Sequence, residues 1–445
     1  MNKRRLAWLA LLLLLCAGIA LVVPIIRSTL LYRIDQARVF VRYSLFPPED
    51  YVFTPEGISA YSPSFAAAIT TATPSVTPSS FVIALATPTP TITNTPTQTT
   101  TPLPGKVILE GVRYQDQSMV WNYCAPANLV MALSYWGIDK DRMVVGRALK
   151  PLQDDKNVMP YEMLSYVQTQ TDLTGVIRYG GTIELLKTFV ANKFPVLIEK
   201  GYYAPASWIP EWMESKITWM GHYNLVVGYD DAVQTLIVRD SYYSPKKGYP
   251  LDYQISYDEI IKEWRGFNYT FLILYPKEQE EKVYTLLGDY RDETMNLETT
   301  LQKDHDEAAS FEGLDKFFAL FNVGSTFVYL RNYSEAAYAY DQAFQLLAQM
   351  PKEQRPYRMM WYQTGPYFAY FYTGRYQDVV DLATTTLIAV DKPYLEESWY
   401  WRGMAKIALG DQAGGITDLR SALRYHPGFL PAIEALKTQG ITVNP

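Results

Sequence analysis

Between Glu56 and Lys106 the chain carries no charged residue, and from Thr70 to Pro104 it is dominated by Thr and Pro, closing with "ATPTPTITNTPTQTTTPLP". Such a stretch has too few apolar side chains to bury a core, and it favours extended polyproline II. At about 3.1 Å per residue, Thr87 to Pro104 alone spans roughly 55 Å. Residues 61–105 are therefore expected to be a disordered stalk, of the kind often O-glycosylated outside the membrane, holding a folded module away from the bilayer. Any core must come from the residues on either side.

Upstream, Lys3, Arg4 and Arg5 precede an uncharged apolar run, Leu6 to Ile26. Its 21 residues are about what a ~30 Å hydrocarbon core requires. The basic flank places the N-terminus in the cytoplasm, against the pull of Arg27, Arg33, Arg38 and Arg42 on the far side. A cleaved signal peptide is the competing reading, but the run is long and no A-x-A-like site follows it. The expectation is a signal-anchor transmembrane helix over 1–27 and a juxtamembrane segment over 28–60 with no assigned structure. The protein would then be single-pass in the cell membrane, with its C-terminal domains extracytoplasmic.

Downstream the composition suits folded domains, at 48% hydrophobic and 19% charged over the chain. A net charge of -6 without a Lys/Arg run gives no support for a nucleic-acid partner, and none is expected. Cys16 lies in the apolar run and Cys124 is alone beyond it, so no internal disulfide can staple the folded part. A thiolate metal site is excluded too, and three His in the chain argue against a His-rich one. No cofactor is expected.

Residues 106–277 read as an α+β domain. "PANLVMALSYWG" has helical spacing closed by Gly137, while "FPVLIEKGYY", "HYNLVVGYDD", "TLIVRDSYY" and "YTFLILYP" are short β-branched and aromatic runs. From 278 to 445 the signal is all-helical and repetitive. Gly324, Phe327, Ala336, Tyr340 and Ala343 share a frame with Gly403, Gly410, Leu419, Ala422 and Pro427, and a looser copy surrounds Gly374 and Tyr376. Helix pairs of this kind bury their faces against neighbours, which predicts a short solenoid; a plain helical bundle is the alternative.

Cys124 sits just before Pro126 and the helical run, so it falls in the first turn of a helix. There the dipole and free N–H groups favour the thiolate, the nucleophilic form. Of the three His, His305 in "LQKDHDEAAS" and His426 in "RYHPGF" read as solvated helix positions. His222, 98 residues after Cys124, opens a buried strand in "WMGHYNLVVGYDD". The next strand ends in Asp240, and a hairpin turning near Asp231 to Gln234 would set that carboxylate beside His222 to fix its tautomer. An oxyanion needs donors: the Cys124 backbone N–H is one, and Gln117 or Gln115 in "RYQDQSMVW" is the second, with Gln117 preferred. Asp230 and Asp231 read as turn residues. "LQDDKNV", Leu152 to Val158, lacks metal-ligand spacing and reads as a polar loop. Trp208, Trp212, Trp219, Tyr202 and Tyr203 crowd the segment before His222 as groove lining or as packing.

"YQDQ…WNYCAPANLVMALSYWG" and "GHYNLVVGYDD…RDSYY" resemble the double-glycine (bacteriocin-processing) peptidase-like branch of papain-like cysteine peptidases, over roughly Val107 to Pro276. The resemblance implies a papain-like fold and a Cys124, His222, Asp240 triad with a Gln in the oxyanion hole. The tail independently resembles tetratricopeptide repeats, and the whole is similar to bacterial membrane-anchored proteins that pair these modules after a Thr/Pro stalk. Two features depart from the pattern. Ala125 stands where the family usually has Gly, and the stretch from Gln117 to Cys124 is one or two residues longer than is common. No G-x-x-x-x-G-K-[ST] loop exists, which excludes the transporter members' exporter role.

The sequence thus points to a cofactor-independent, membrane-anchored extracytoplasmic cysteine peptidase that cuts peptide bonds through a thioester, its helical repeats binding a protein partner or presenting a peptide or protein substrate. Two alternatives stand beside it: a catalytically idle surface-displayed binding protein, and an amide-bond acyltransferase or transpeptidase using the same thiol.

Overall fold

The longest strand among the described residues, Trp219–Asp230 (β4), is almost wholly buried, and the rest of the sheet is laid out around it. The structure, a computed structural model, describes residues 24–55, 102–117, 120, 122–203, 219–243 and 245–443. Near-continuous apolar character in "NLVVGY" fits a strand covered on both faces. The antiparallel sheet comprises β1 (Lys106–Ile108), β2 (Leu173–Arg178), β3 (Val196–Tyr203), β4, β5 (Thr235–Arg239), β6 (Tyr253–Ser256) and β7 (Phe271–Pro276). Its order is β2-β7-β3-β4-β5-β6, with β1 also pairing β4. Lys200 faces His222 across β3 and β4, and Asp230 faces Thr235 across the β4–β5 turn. The turn residues stay structural: Asp230 pairs with Lys106, while Asp231 pairs with Lys187 and accepts from the Tyr257 hydroxyl.

The helix α2 (Cys124–Tyr135) packs on this sheet, with Leu129, Val130, Met131 and Leu133 fully buried. An apolar surface all round suits a helix buried on every side rather than an amphipathic one. Around it lie α3 (Arg142–Leu149), α4 (Pro160–Gln170), α5 (Ile183–Ala191) and α6 (Tyr257–Arg265). This is the expected α+β domain.

Beyond β7 the chain is helical from α7 (Glu280–Leu287) and α8 (Glu293–Ser310) through α9 (Gly313–Tyr329), α10 (Tyr333–Gln349), α11 (Met359–Tyr362), α12 (Gly365–Tyr372) and α13 (Tyr376–Ala389). It ends in α14 (Glu396–Ala408), α15 (Gln412–Tyr425) and α16 (Leu430–Thr438). The glycines of the repeat frame stand where helices touch. A Cβ on Gly324 would lie 2.6 Å from the Tyr340 ring, and one on Gly403 would lie 2.9 Å from the Gly415 carbonyl.

This region does not stand apart as a free-standing solenoid would. Trp219, at the start of β4, stacks on Phe267 at 5.3 Å and packs against Phe318 of α9 at 5.4 Å. The side chain is core, not groove lining; Trp208 and Trp212 lie outside the described residues. Asn322 donates to the Arg265 carbonyl, Asn268 donates to Thr326, and Arg358 donates to the Trp219 carbonyl. One apolar cluster runs through both parts.

The N-terminal side changes the expected layout. Most of the apolar run Leu6 to Ile26 lies outside the described residues, and among those described no helix is long and apolar enough to cross a membrane. The helix α1 (Pro24–Leu45) crosses the boundary expected at 27/28. Residues 46–55, just beyond α1, dock on the helical region: Phe53 is buried edge-on to Phe344 at 5.1 Å and beside Tyr370 at 5.9 Å. Arg355 donates to the Glu49 carbonyl, and Arg38 of α1 pairs with Asp391. After the Thr/Pro stretch, the Pro104 and Gly105 carbonyls accept from Tyr229 and Asp231. Residues on both sides of that stretch thus make contacts with the folded part. Phe53 finds Phe344 and Tyr370 far along the chain, and Asp50 pairs with Lys352 at a separation of 302 residues.

Candidate active site

Cys124 is the first residue of α2, preceded by Tyr123 as N-cap without a side-chain cap bond. The turn that delivers it is left-handed at Asn122, with φ 52°, a conformation Asn tolerates better than most residues. Beneath the turn lies Lys150, 1% exposed, whose ammonium donates to the Asn122 carbonyl at 2.9 Å and sits over the Tyr123 ring. Ala125 is 2% exposed and belongs to the main core cluster. Its methyl group is taken up by the core, so the departure from Gly does not narrow the approach to the sulfur.

His222 lies in β4, three residues inside its start, and Asp240 follows directly on the last residue of β5. His222 Nε2 stands 3.1 Å from Asp240 Oδ1. The imidazole also lies close enough to the Cys124 thiol for the charged forms of the two to stabilise each other. With Nε2 given to Asp240, Nδ1 is the nitrogen left for the sulfur. The carboxylate is wholly buried and fully engaged: Oδ1 accepts the backbone N–H of Tyr242 at 2.6 Å and of Tyr243 at 3.0 Å, and Oδ2 accepts Asn224 Nδ2 at 2.7 Å.

The electrostatics follow from these contacts. Burial is the largest influence on Cys124 and pushes its thiol up, but His222, the Tyr223 backbone N–H and the Lys150 charge outweigh it and leave the thiol below its ordinary value. Burial likewise pulls His222 down, yet Asp240 and Cys124 raise it to about 9. Asp240 is held well below the usual carboxylate range, since the His222 charge and hydrogen bond overcome its burial. Together these favour a thiolate beside an imidazolium.

Gln117 stands next to this group. Its backbone N–H donates to the Ser241 carbonyl at 2.9 Å, and its Oε1 accepts the Ser241 hydroxyl at 2.7 Å. Gln115 instead lines a groove with Asp116, Arg142 and Lys246. Residues 118, 119 and 121 of the lengthened stretch lie outside the described residues.

Several contributors escaped the sequence reading. Asn128 Nδ2 reaches the Cys124 and Tyr223 carbonyls and Ser241 Oγ, at 2.9 to 3.1 Å, tying the nucleophile's helix to β4 and to the Asp240 segment. Its position four residues after Cys124, on the same helix face, was an available signal. Asn224, two residues after His222 on one face of β4, was another. Tyr362 of α11 had no such signal: it comes from the helical region, packs edge-on to Phe267 and lies close enough to feel the Cys124 charge. A Cβ on Gly221 would fall 2.8 Å from Phe267 and 3.0 Å from Tyr362, so this glycine serves close packing under the helices.

The other two His are not solvated as expected. His305 is half-buried against Phe327, with burial lowering its pKa. His426 is the C-cap of α15 and meets Glu396 and Asp155. Nor is 152–158 an exposed loop: Asp155, Lys156 and Asn157 are buried, with Lys156 paired to Asp391 and Asn157 bonded to the Trp361 carbonyl. Contact with the helical region buries what composition alone would leave in water.

A family model described as Peptidase_C39 like family matches residues 109–271. A putative C39-like peptidase from Bacillus anthracis is 19% identical, covering 38% of this chain and 97% of its own at a TM-score of 0.30. Xylellain, a cysteine protease from Xylella fastidiosa, is 16% identical, covering 39% of this chain and 86% of its own at 0.29. No curated protein matches. The family match supports a cysteine peptidase-like fold for this part of the chain.

Proposed function

We propose that the protein is a cysteine peptidase in which Cys124 attacks a peptide carbonyl to form a thioester. The observation that carries this reading is the buried His222–Asp240 pair, Nε2 3.1 Å from Oδ1, with Asn128 of the helix that Cys124 opens tied to the carbonyl of Tyr223, the residue after His222. His222 holds the proton of the Cys124 thiol and passes it to the leaving amine; water then resolves the thioester with His222 as base. Asp240 fixes the ring and stabilises its charged form. For the oxyanion, the Cys124 backbone N–H is the first donor. The Gln117 amide is the second, because its oxygen is occupied by Ser241 and its NH₂ end is the one available to substrate. The reaction so drawn uses only these side chains.

The basic flank and apolar run at the N-terminus support a membrane anchor with the catalytic body extracytoplasmic. The helix-to-helix packing at Gly324 and Gly403 supports a tetratricopeptide-like region that binds a protein partner or presents the substrate.

The experiment is covalent labelling by a thiol-reactive peptide probe. Cys124→Ala is expected to abolish labelling and His222→Ala to slow it by about 10²-fold or more. Equal labelling of wild type and the His222 variant would sink the mechanism.

A further inference from the structure

Behind the turn that delivers the nucleophile, loop 152–158 meets the end of α15 and the start of α14. Asp155 is 1% exposed and Glu396 is 1% exposed, and His426 caps α15 between them. His426 Nδ1 lies 3.1 Å from Glu396 Oε1 and 3.3 Å from Asp155 Oδ2. We propose that Asp155, Glu396 and His426 form a binding site for one divalent transition-metal cation of the Zn²⁺ or Mn²⁺ type, which fastens the helical region to the loop behind Cys124.

Three features support the site. One ring nitrogen carries at most one hydrogen, so Nδ1 cannot give a full hydrogen bond to two carboxylates at once. A cation can engage all three groups, and all three donor atoms lie within 4.8 Å of one another. In a tetrahedral zinc site with bonds of about 2.0–2.1 Å, donor atoms stand about 3.3–3.4 Å apart, close to the 3.1 and 3.3 Å between Nδ1 and the two carboxylate oxygens.

The second feature is independent of those contacts. Glu396 Oε2 is buried without a hydrogen-bond partner, and so is Oε1 of the adjacent Glu397. A buried carboxylate oxygen left bare is costly, and a bound cation is one of the few things that offsets the cost. The lysines of this neighbourhood are committed elsewhere: Lys150 donates to the Asn122 carbonyl and Lys156 to Asp391.

The third feature is the donor set. One imidazole and two carboxylates suit Zn²⁺ or Mn²⁺, whereas Ca²⁺ and Mg²⁺ take oxygen ligands. The position gives the site a consequence, because Asn122 donates through its side chain to the Asp155 carbonyl. A cation holding Asp155 thereby braces the left-handed turn two residues before Cys124.

The test uses the full-length protein, stripped with chelator and titrated calorimetrically with ZnCl₂ and, separately, MnCl₂. One cation per chain is expected, with affinity reduced at least about 10–100-fold in Glu396→Gln and in His426→Asn. Asp391→Asn, which removes a different ion pair of the same interface, is expected to bind as wild type. Added cation should also raise the unfolding temperature of stripped wild type. Absence of binding to wild type at about millimolar cation, or undiminished binding by both ligand variants, overturns the site. Should a variant fail to fold, the wild-type stoichiometry and thermal shift still decide. No substrate is involved, so failure here leaves the thiol mechanism standing, and the reverse also holds.

Discussion

His222 and Asp240 lie 18 positions apart in the chain, and Nε2 of the one stands 3.1 Å from Oδ1 of the other. The β4–β5 hairpin makes that distance possible, since Leu225 pairs with Arg239 one step before Asp240. Asn224, on the same face of β4 as His222, then holds the second carboxylate oxygen. The orienting group is thus locked before any substrate arrives.

This locking sets a pH dependence. The Cys124 thiol is held below its ordinary value and His222 is raised to about 9. Alkylation of Cys124 should therefore exceed that of free cysteine, pKa about 8.5, at neutral pH. Peptide hydrolysis should fall as pH rises through about 9, where His222 loses its proton. Asp240→Asn removes the charge that raises His222, so the alkaline limb should move down toward about 6.5. A pH–rate profile checks both, and an unmoved limb in the variant would contradict the assignment.

Gln117→Ala should lower kcat by about 10²–10³-fold with little change in KM, as loss of an oxyanion donor does. Gln115→Ala, in the neighbouring groove, should change neither. Steady-state kinetics on a peptide substrate separates them, and a reversed pattern would reassign the donor.

Asn128 joins three elements through one amide group. Asn128→Leu keeps the γ-branched shape but leaves the Cys124 and Tyr223 carbonyls without that donor. Destabilisation of about 1–3 kcal/mol is expected, together with slower labelling of Cys124. Chemical denaturation and the peptide probe measure the two effects.

Trp219→Ala empties the space between Phe267 and Phe318 at the junction of the two regions. The expected loss is about 3–5 kcal/mol. It should appear in denaturant unfolding, and a loss below about 1 kcal/mol would mean the junction relaxes around the gap.

Phe53→Ala should release the segment before the Thr/Pro stretch. Hydrogen exchange is the measurement, and faster exchange is expected in α10 and α12, which carry its partners Phe344 and Tyr370. Unchanged exchange would show that the segment contributes nothing to that core.

The helix at Cys124, the hairpin that carries His222 and Asp240, and the helical character after 277 were all legible in the chain. Each rests on local periodicity, caps and turn residues, which neighbours in sequence supply. The environments of His426, His305 and loop 152–158 were not legible. A polar loop and a solvated His look the same in sequence whether or not another region lands on them, and the burial of Asp155 is decided by α14 and α15. The same holds for Gly221, whose need for a small side chain comes from Phe267 and Tyr362.

Side-chain type and hydrophobic period act over a few residues, so the order of amino acids was enough to say which groups have the chemistry and which short segments carry them. Folding in three dimensions settled the rest: the helical region closes over Trp219 and Gly221, and residues 46–55 dock on it. Those outcomes depend on apolar and charged groups hundreds of residues apart finding one another, and no local pattern encodes such a meeting.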